Sequence, residues 1–164
     1  RVGEDQLVWI DLGHSTVRVR YLGIEVPKVS GNDCYGEEAY ARNQALVLGR
    51  QVCLRRDFTN RDLHGHLYRY VFVDGILINR QLVAEGYAYA HPLPFNTLHD
   101  AEIAAAQAEA RAAGRGVWAT CPTPTPRPAP PKGEQVTRDM DLTTKGTKTS
   151  KVGSEPSRPF GALW

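Results

Sequence analysis

Three observations along the first 121 residues predict an α+β fold with a small barrel as its sheet. The stretches 17–24, 51–55 and 67–73 alternate apolar and polar residues with the two-residue period of half-buried strands. The stretches 37–48, 79–85 and 98–113 carry helical spacing, and each is closed by a glycine, Gly49, Gly86 or Gly114. Eight of the 11 prolines lie after Cys121, so the chain changes character there. Short strands with helices kept apart from them fit an α+β domain better than alternating βαβ units.

Taken in order, Leu7-Val8-Trp9-Ile10 reads as a first strand that turns near Leu12-Gly13, and 17–24 reads as its partner. The helix at 37–48 opens on Glu37 and Glu38, where the helix dipole favours carboxylates. In 51–55, Cys53 falls on the face opposite Val52 and Leu54. The run 67–73 closes on Asp74-Gly75, a hairpin-turn dipeptide. Tyr68, Tyr70 and Phe72 share one of its faces, as barrel lining or cross-strand pairs; the alternative is a base-stacking stripe. A short helix at 79–85 and an Ala-, Glu- and Gln-rich one at 98–113 complete the body.

Composition narrows the classes. Of 164 residues, 41% are hydrophobic and 23% charged, enough to bury a core. No run of about 18 apolar residues could span a membrane. The net charge of +2 does not by itself advertise a nucleic-acid partner. Residues 1–121 hold 13 basic against 14 acidic groups and 122–164 hold seven against four, so the basicity belongs to the tail. Lys28 is the one lysine of the body. Two segments are therefore expected, a compact domain at 1–121 and a Pro-rich extended tail at 122–164.

The body carries five motifs in one register: Ile24-Glu25-Val26-Pro27, Cys34-Tyr35-Gly36-Glu37-Glu38-Ala39, Asp62-Leu63-His64-Gly65-His66-Leu67, Asn79-Arg80-Gln81-Leu82-Val83-Ala84-Glu85-Gly86-Tyr87-Ala88 and Gly114-Arg115-Gly116-Val117-Trp118. In this order they resemble the staphylococcal nuclease-like (thermonuclease) family, over residues 1–121 and not the tail. The resemblance implies an OB-fold, a five-stranded β-barrel with three helices, and a calcium-dependent phosphodiesterase acting on DNA and RNA.

Hydrolysis of a phosphodiester needs a base for water, cations for the phosphorane charge and usually a metal. By resemblance, Arg20 stands at the first arginine of the family site and Glu25 at the metal-binding aspartate. Val26 would supply a backbone carbonyl. Lys28 replaces the general-base glutamate and His66 the second arginine. Glu4 or Asp5 would be the remaining calcium carboxylate. A protonated lysine cannot take a proton from water, and it places positive charge where the metal would sit. The expectation is therefore a catalytically degenerate site with no cofactor, calcium entering only if the nuclease alternative holds. Arg20 has a plainer reading, as partner to Glu25 or another acidic neighbour. His64 and His66, two residues apart, have the spacing of a metal pair or of simple turn residues.

Family geometry also implies a Cys34–Cys121 disulfide, hence an oxidising compartment. Cys53 is left as a buried free thiol or an intermolecular partner. The expected location is extracellular or at the cell surface, in a form whose signal peptide has been removed. In the tail, 122–131 alternates proline with other residues as polyproline II. Val136, Met140, Leu142 and Val152 lie on even positions, and Phe160, Leu163 and Trp164 end the chain with an apolar anchor. That pattern suits a strand added to another copy, and head-to-tail repetition would make a filament. Two functions compete: a secreted structural protein assembling through its tail, and a secreted calcium-dependent nuclease with an altered site. A nucleic-acid-binding module without catalysis is the third.

Overall fold

The computed structural model describes residues 1–3 and 7–121. Glu4, Asp5 and the assembly residues Val136, Met140, Leu142, Val152, Phe160, Leu163 and Trp164 lie outside the described residues.

The described body is mixed α+β, as expected. Its order is β1 (Leu7–Asp11), β2 (Thr16–Tyr21), β3 (Ile24–Glu25), α1 (Gly36–Val47), β4 (Cys53–Arg55), β5 (Leu67–Val73), β6 (Ile76–Leu77), α2 (Ile78–Ala84), β7 (Tyr89–Ala90), α3 (Asp100–Ala112) and α4 (Val117–Thr120). β1 and β2 form an antiparallel hairpin whose turn is closed by Leu12 N–H donating to the Ser15 carbonyl. β2 runs parallel to β5, and β4 and β6 each pair antiparallel with β5.

The expected closed barrel is corrected in two respects. Among the described residues the strands form an open five-stranded sheet of order β1-β2-β5-β4, with β6 on β5, and a separate β3–β7 ribbon. The cause lies at Gly23. Its φ of +74° ends β2 in a left-handed turn, so the single run read at 17–24 becomes two strands in different sheets. The expected three helices are joined by a fourth, the single turn α4.

Val19 and Tyr21 of β2 and Tyr70, Val71 and Val73 of β5, whose neighbours Tyr70 and Val71 are buried on both faces, join Ile78, Leu82 and Val83 of α2 and Ile103 and Ala106 of α3 in one core. Asn79 is fully buried and serves as a bolt between elements. Its Oδ1 accepts the Val71 N–H at 2.9 Å, and its Nδ2 donates to the Leu22 carbonyl at 2.8 Å. The close of α2 against α4 requires glycine on both sides. A Cβ on Gly86 would stand 2.2 Å from the Arg115 carbonyl oxygen, and one on Gly116 would stand 2.2 Å from the Gly86 carbonyl oxygen.

Cys34 and Cys121 are joined, closing a separation of 87 residues. Cross-linking a loop of that length removes unfolded-state entropy worth about 4–5 kcal/mol in the chain-entropy model. Cys53 is free and exposed, which corrects its reading as a buried thiol: it faces outward from the three-residue edge strand β4. Tyr70 is core and Phe72 half-buried, so the aromatic face of β5 is mainly lining.

Candidate active site

Two strand pairings bring the site together. In the parallel β2–β5 register Arg20 lies opposite Tyr68. In the β3–β7 ribbon Glu25 lies opposite Tyr89 and Ile24 opposite Ala90. His91 follows directly, its N–H donating to the Gly23 carbonyl at 2.8 Å. Arg20, Glu25, Lys28, Tyr68 and His91 thereby line one pocket of about 130 Å³. Glu25 Oε2 stands 3.6 Å from His91 Nδ1, with both side chains open to solvent.

Lys28 is held by its backbone. Its N–H donates to Asp33 Oδ2 at 2.8 Å, and its carbonyl accepts the Asp33 N–H at 3.1 Å. A Cβ on Gly36 would come within 2.7 Å of that carbonyl oxygen, so α1 begins tight against the Lys28 turn. The disulfide at Cys34 anchors the same loop. Val26 is buried between these two positions.

Behind Arg20 stands Asp62, whose side chain is 5% exposed. Its Oδ1 accepts the backbone N–H groups of His64 and His66 at 2.9 and 2.8 Å, and its Oδ2 meets His66 Nδ1 at 2.8 Å. Burial alone would raise this carboxyl, but the hydrogen bonds from His66 and His64 outweigh it and hold it below its ordinary value. Arg20 Nε lies 3.5 Å from Asp62 Oδ2, yet it is buried and makes no hydrogen bond. The Asp62 carboxylate thus holds the Arg20 guanidinium by an ion pair from behind, while the Arg20 side chain, 35% exposed, lines the pocket.

The structure thus gathers Arg20, Glu25 and Lys28 but not His66. His66 is buried and turned onto Asp62, so it supports the floor under Arg20 rather than offering a second cation. His64 is exposed, and its ring centroid lies 5.9 Å from that of His66; among the described residues no three His, Cys, Asp or Glu side chains are placed to hold a metal. Glu25 is the one described carboxylate lining the pocket, with Lys28 on the same wall. Calcium takes six to eight oxygens; among the described residues this pocket offers the Glu25 carboxylate alone, and Glu4 and Asp5 lie outside them.

The arrangement agrees with a comparison across protein families, in which residues 18–120 match the model for staphylococcal nuclease homologues. The chain belongs to this family. It is also similar to two Bacillus subtilis (strain 168) proteins. One is the SPbeta prophage-derived endonuclease YokF, 41% identical over 75 residues, 43% of this chain and 25% of the relative. The other is endonuclease YncB, 40% identical over 75 residues, 43% of this chain and 36% of the relative. The match therefore spans only a quarter to about a third of those relatives.

Within this staphylococcal nuclease homologue, His91 and Asp62 are site residues that the sequence reading passed over. His91 sits in a Pro-rich stretch with no motif of its own, and only the β3–β7 pairing delivers it to Glu25. Asp62 was legible in part: an aspartate before a Gly65 turn is a familiar acceptor for the N–H groups that follow it.

Proposed function

We propose that this domain is a nucleic-acid phosphodiesterase whose pocket works with its own side chains. Arg20 and Lys28 grip the phosphate and offset the charge that grows on its oxygens in the transition state. The Glu25–His91 pair handles the proton: the imidazole accepts it from the attacking water, and the carboxylate steadies the imidazolium that results. Asp62, seated on His66, positions the Arg20 guanidinium. The observation that carries this reading is the one pocket lined by Arg20, Lys28, Glu25 and His91, with Arg20 ion-paired from behind by Asp62. Membership of the nuclease family and the endonuclease names of the two relatives support it. No resident calcium is part of the proposal, because Lys28 lines the pocket beside Glu25. The Cys34–Cys121 bridge supports work in an oxidising, extracytoplasmic compartment.

A second reading keeps the fold as a non-catalytic building block that assembles through 122–164. Lys28 and His66, in place of the family's base and second arginine, favour it. The comparisons favour the nuclease reading. One experiment separates them: cleavage of end-labelled single-stranded DNA and RNA by the full chain. The wild type is expected to cut, Arg20→Ala to lose about 100-fold or more, and His91→Ala a similar amount. A wild type indistinguishable from a protein-free control, or cleavage indifferent to Arg20→Ala, overturns the proposal.

A further inference from the structure

We propose that the exposed Phe58–Phe95 pair and the arginines beside it form a track that carries single-stranded nucleic acid into the pocket; this rests on the reading of that pocket as a phosphodiester site. Phe58 lies between β4 and β5, and Phe95 between β7 and α3. They are 74% and 75% exposed, with ring centroids 5.6 Å apart. Leaving two phenyl rings in water is unfavourable, and the fold fixes them there. Phe95 has a φ of +67°, a left-handed conformation that bulky residues adopt only under constraint.

The constraint is the fully buried Asn96. It accepts the Thr59 N–H at 2.7 Å and donates to Thr59 Oγ1 at 2.8 Å and to the Pro94 carbonyl at 2.9 Å. Each of these loops therefore holds the other, and the rings are set before any ligand arrives.

The segment that carries Phe58 is rich in arginine. Residues 50–69 contain five arginines, Arg50 included, and two aspartates. Both aspartates are engaged internally, Asp57 with the N–H groups of Phe58 and Leu98, and Asp62 with His66. Arg56 and Arg61 are exposed. Burial first, then the charges of Arg56 and Arg61, push Arg69 below its ordinary value, so the three guanidiniums share one field. A groove of about 440 Å³ is lined by Thr59 and Pro94, the chain neighbours of the two rings, by Arg61 and Asp62, and by Arg20 and Tyr68, which it shares with the active pocket.

Stacking faces with arginines between them are the chemistry of an unpaired strand, whose bases have free π-faces and whose phosphates follow a positive path. A duplex keeps its base faces stacked inside. A second copy docked symmetrically through this patch would set arginines against arginines.

The test is fluorescence anisotropy of the full chain with a labelled thymidine oligonucleotide of about 12 nucleotides. Phe58→Ala with Phe95→Ala should weaken binding about tenfold or more. Phe58→Tyr with Phe95→Tyr should restore it. The melting temperature and hydrolysis of bis(p-nitrophenyl) phosphate should match the wild type in both. Arg56→Gln with Arg61→Gln should flatten the salt dependence by about 0.7 for each phosphate that is no longer neutralised. Unchanged binding in the double alanine variant overturns the track, as does equal affinity for duplex or self-association that the variant abolishes. If the strand binds through the two rings but neither it nor the small diester is hydrolysed, the track stands and the hydrolytic reading falls. If both are hydrolysed and the rings are irrelevant, the reverse holds.

Discussion

At Asp62 a carboxylate that burial would push toward its neutral form is kept ionised by three hydrogen bonds from two histidines. The folded value lies below the ordinary one, so the sign of its contribution is fixed. The stabilisation is full above the ordinary aspartate range and is lost as the pH falls through the lowered folded value. Asp62→Asn should cost roughly 1–3 kcal/mol at neutral pH, the size of a broken buried network. The difference from wild type should shrink in strong acid. Urea melts of both proteins from neutral to acid pH would show this, and a constant difference would contradict it. Because Arg20 leans on this carboxylate, the same variant should also lower cleavage without Asp62 touching the substrate. His66 stands where the resemblance puts the family's second arginine, and its ring nitrogen, 2.8 Å from a buried carboxylate, is satisfied there.

The elements were legible where periodicity decides them and illegible where a single residue redirects the chain. The helix expected at 37–48 is seen at Gly36–Val47, the strand at 67–73 is seen as Leu67–Val73, and the Asp74-Gly75 turn joins β5 to β6. Period two cannot reveal that Gly23 cuts a run into β2 and β3, because alternation continues across the cut while the pairing partner changes. Yet that cut makes the site, since it turns Glu25 toward β7 and His91. Two element-scale outcomes follow. Reducing the Cys34–Cys121 bond should lower stability by about 2–5 kcal/mol, read as a drop in melting temperature under reductant. A melting temperature indifferent to reductant would mean that the bridge constrains nothing. Asn79→Ala should cost about 2–3 kcal/mol, because it strands the Val71 N–H and the Leu22 carbonyl in the core. Denaturant unfolding measures it, and a loss under about 0.5 kcal/mol would show that these groups find other partners.

For the whole molecule, the neutral total of the body hid a local imbalance. Summed over 121 residues the charges nearly cancel, but the fold engages Asp57 and Asp62 in internal hydrogen bonds and leaves Arg56 and Arg61 exposed. Composition cannot register that placement, which is why a nucleic-acid role looked weak from the sequence and is here a proposal from the geometry. Arg20, Glu25 and Lys28, which the family resemblance singled out, line one pocket; His91 was not singled out, because its partner is set by a ribbon only two residues long. Among the described residues no helix is long and apolar enough to cross a membrane. The central claim is that this pocket cleaves phosphodiesters with its own side chains. The most direct measurement is the single-turnover rate of cleavage of a labelled single-stranded oligonucleotide, taken in chelator and then across a calcium titration. A measurable rate in chelator is expected, which calcium changes less than about threefold, a difference below about 1 kcal/mol. No cleavage in chelator, with a rate that appears only as calcium is added, would contradict it.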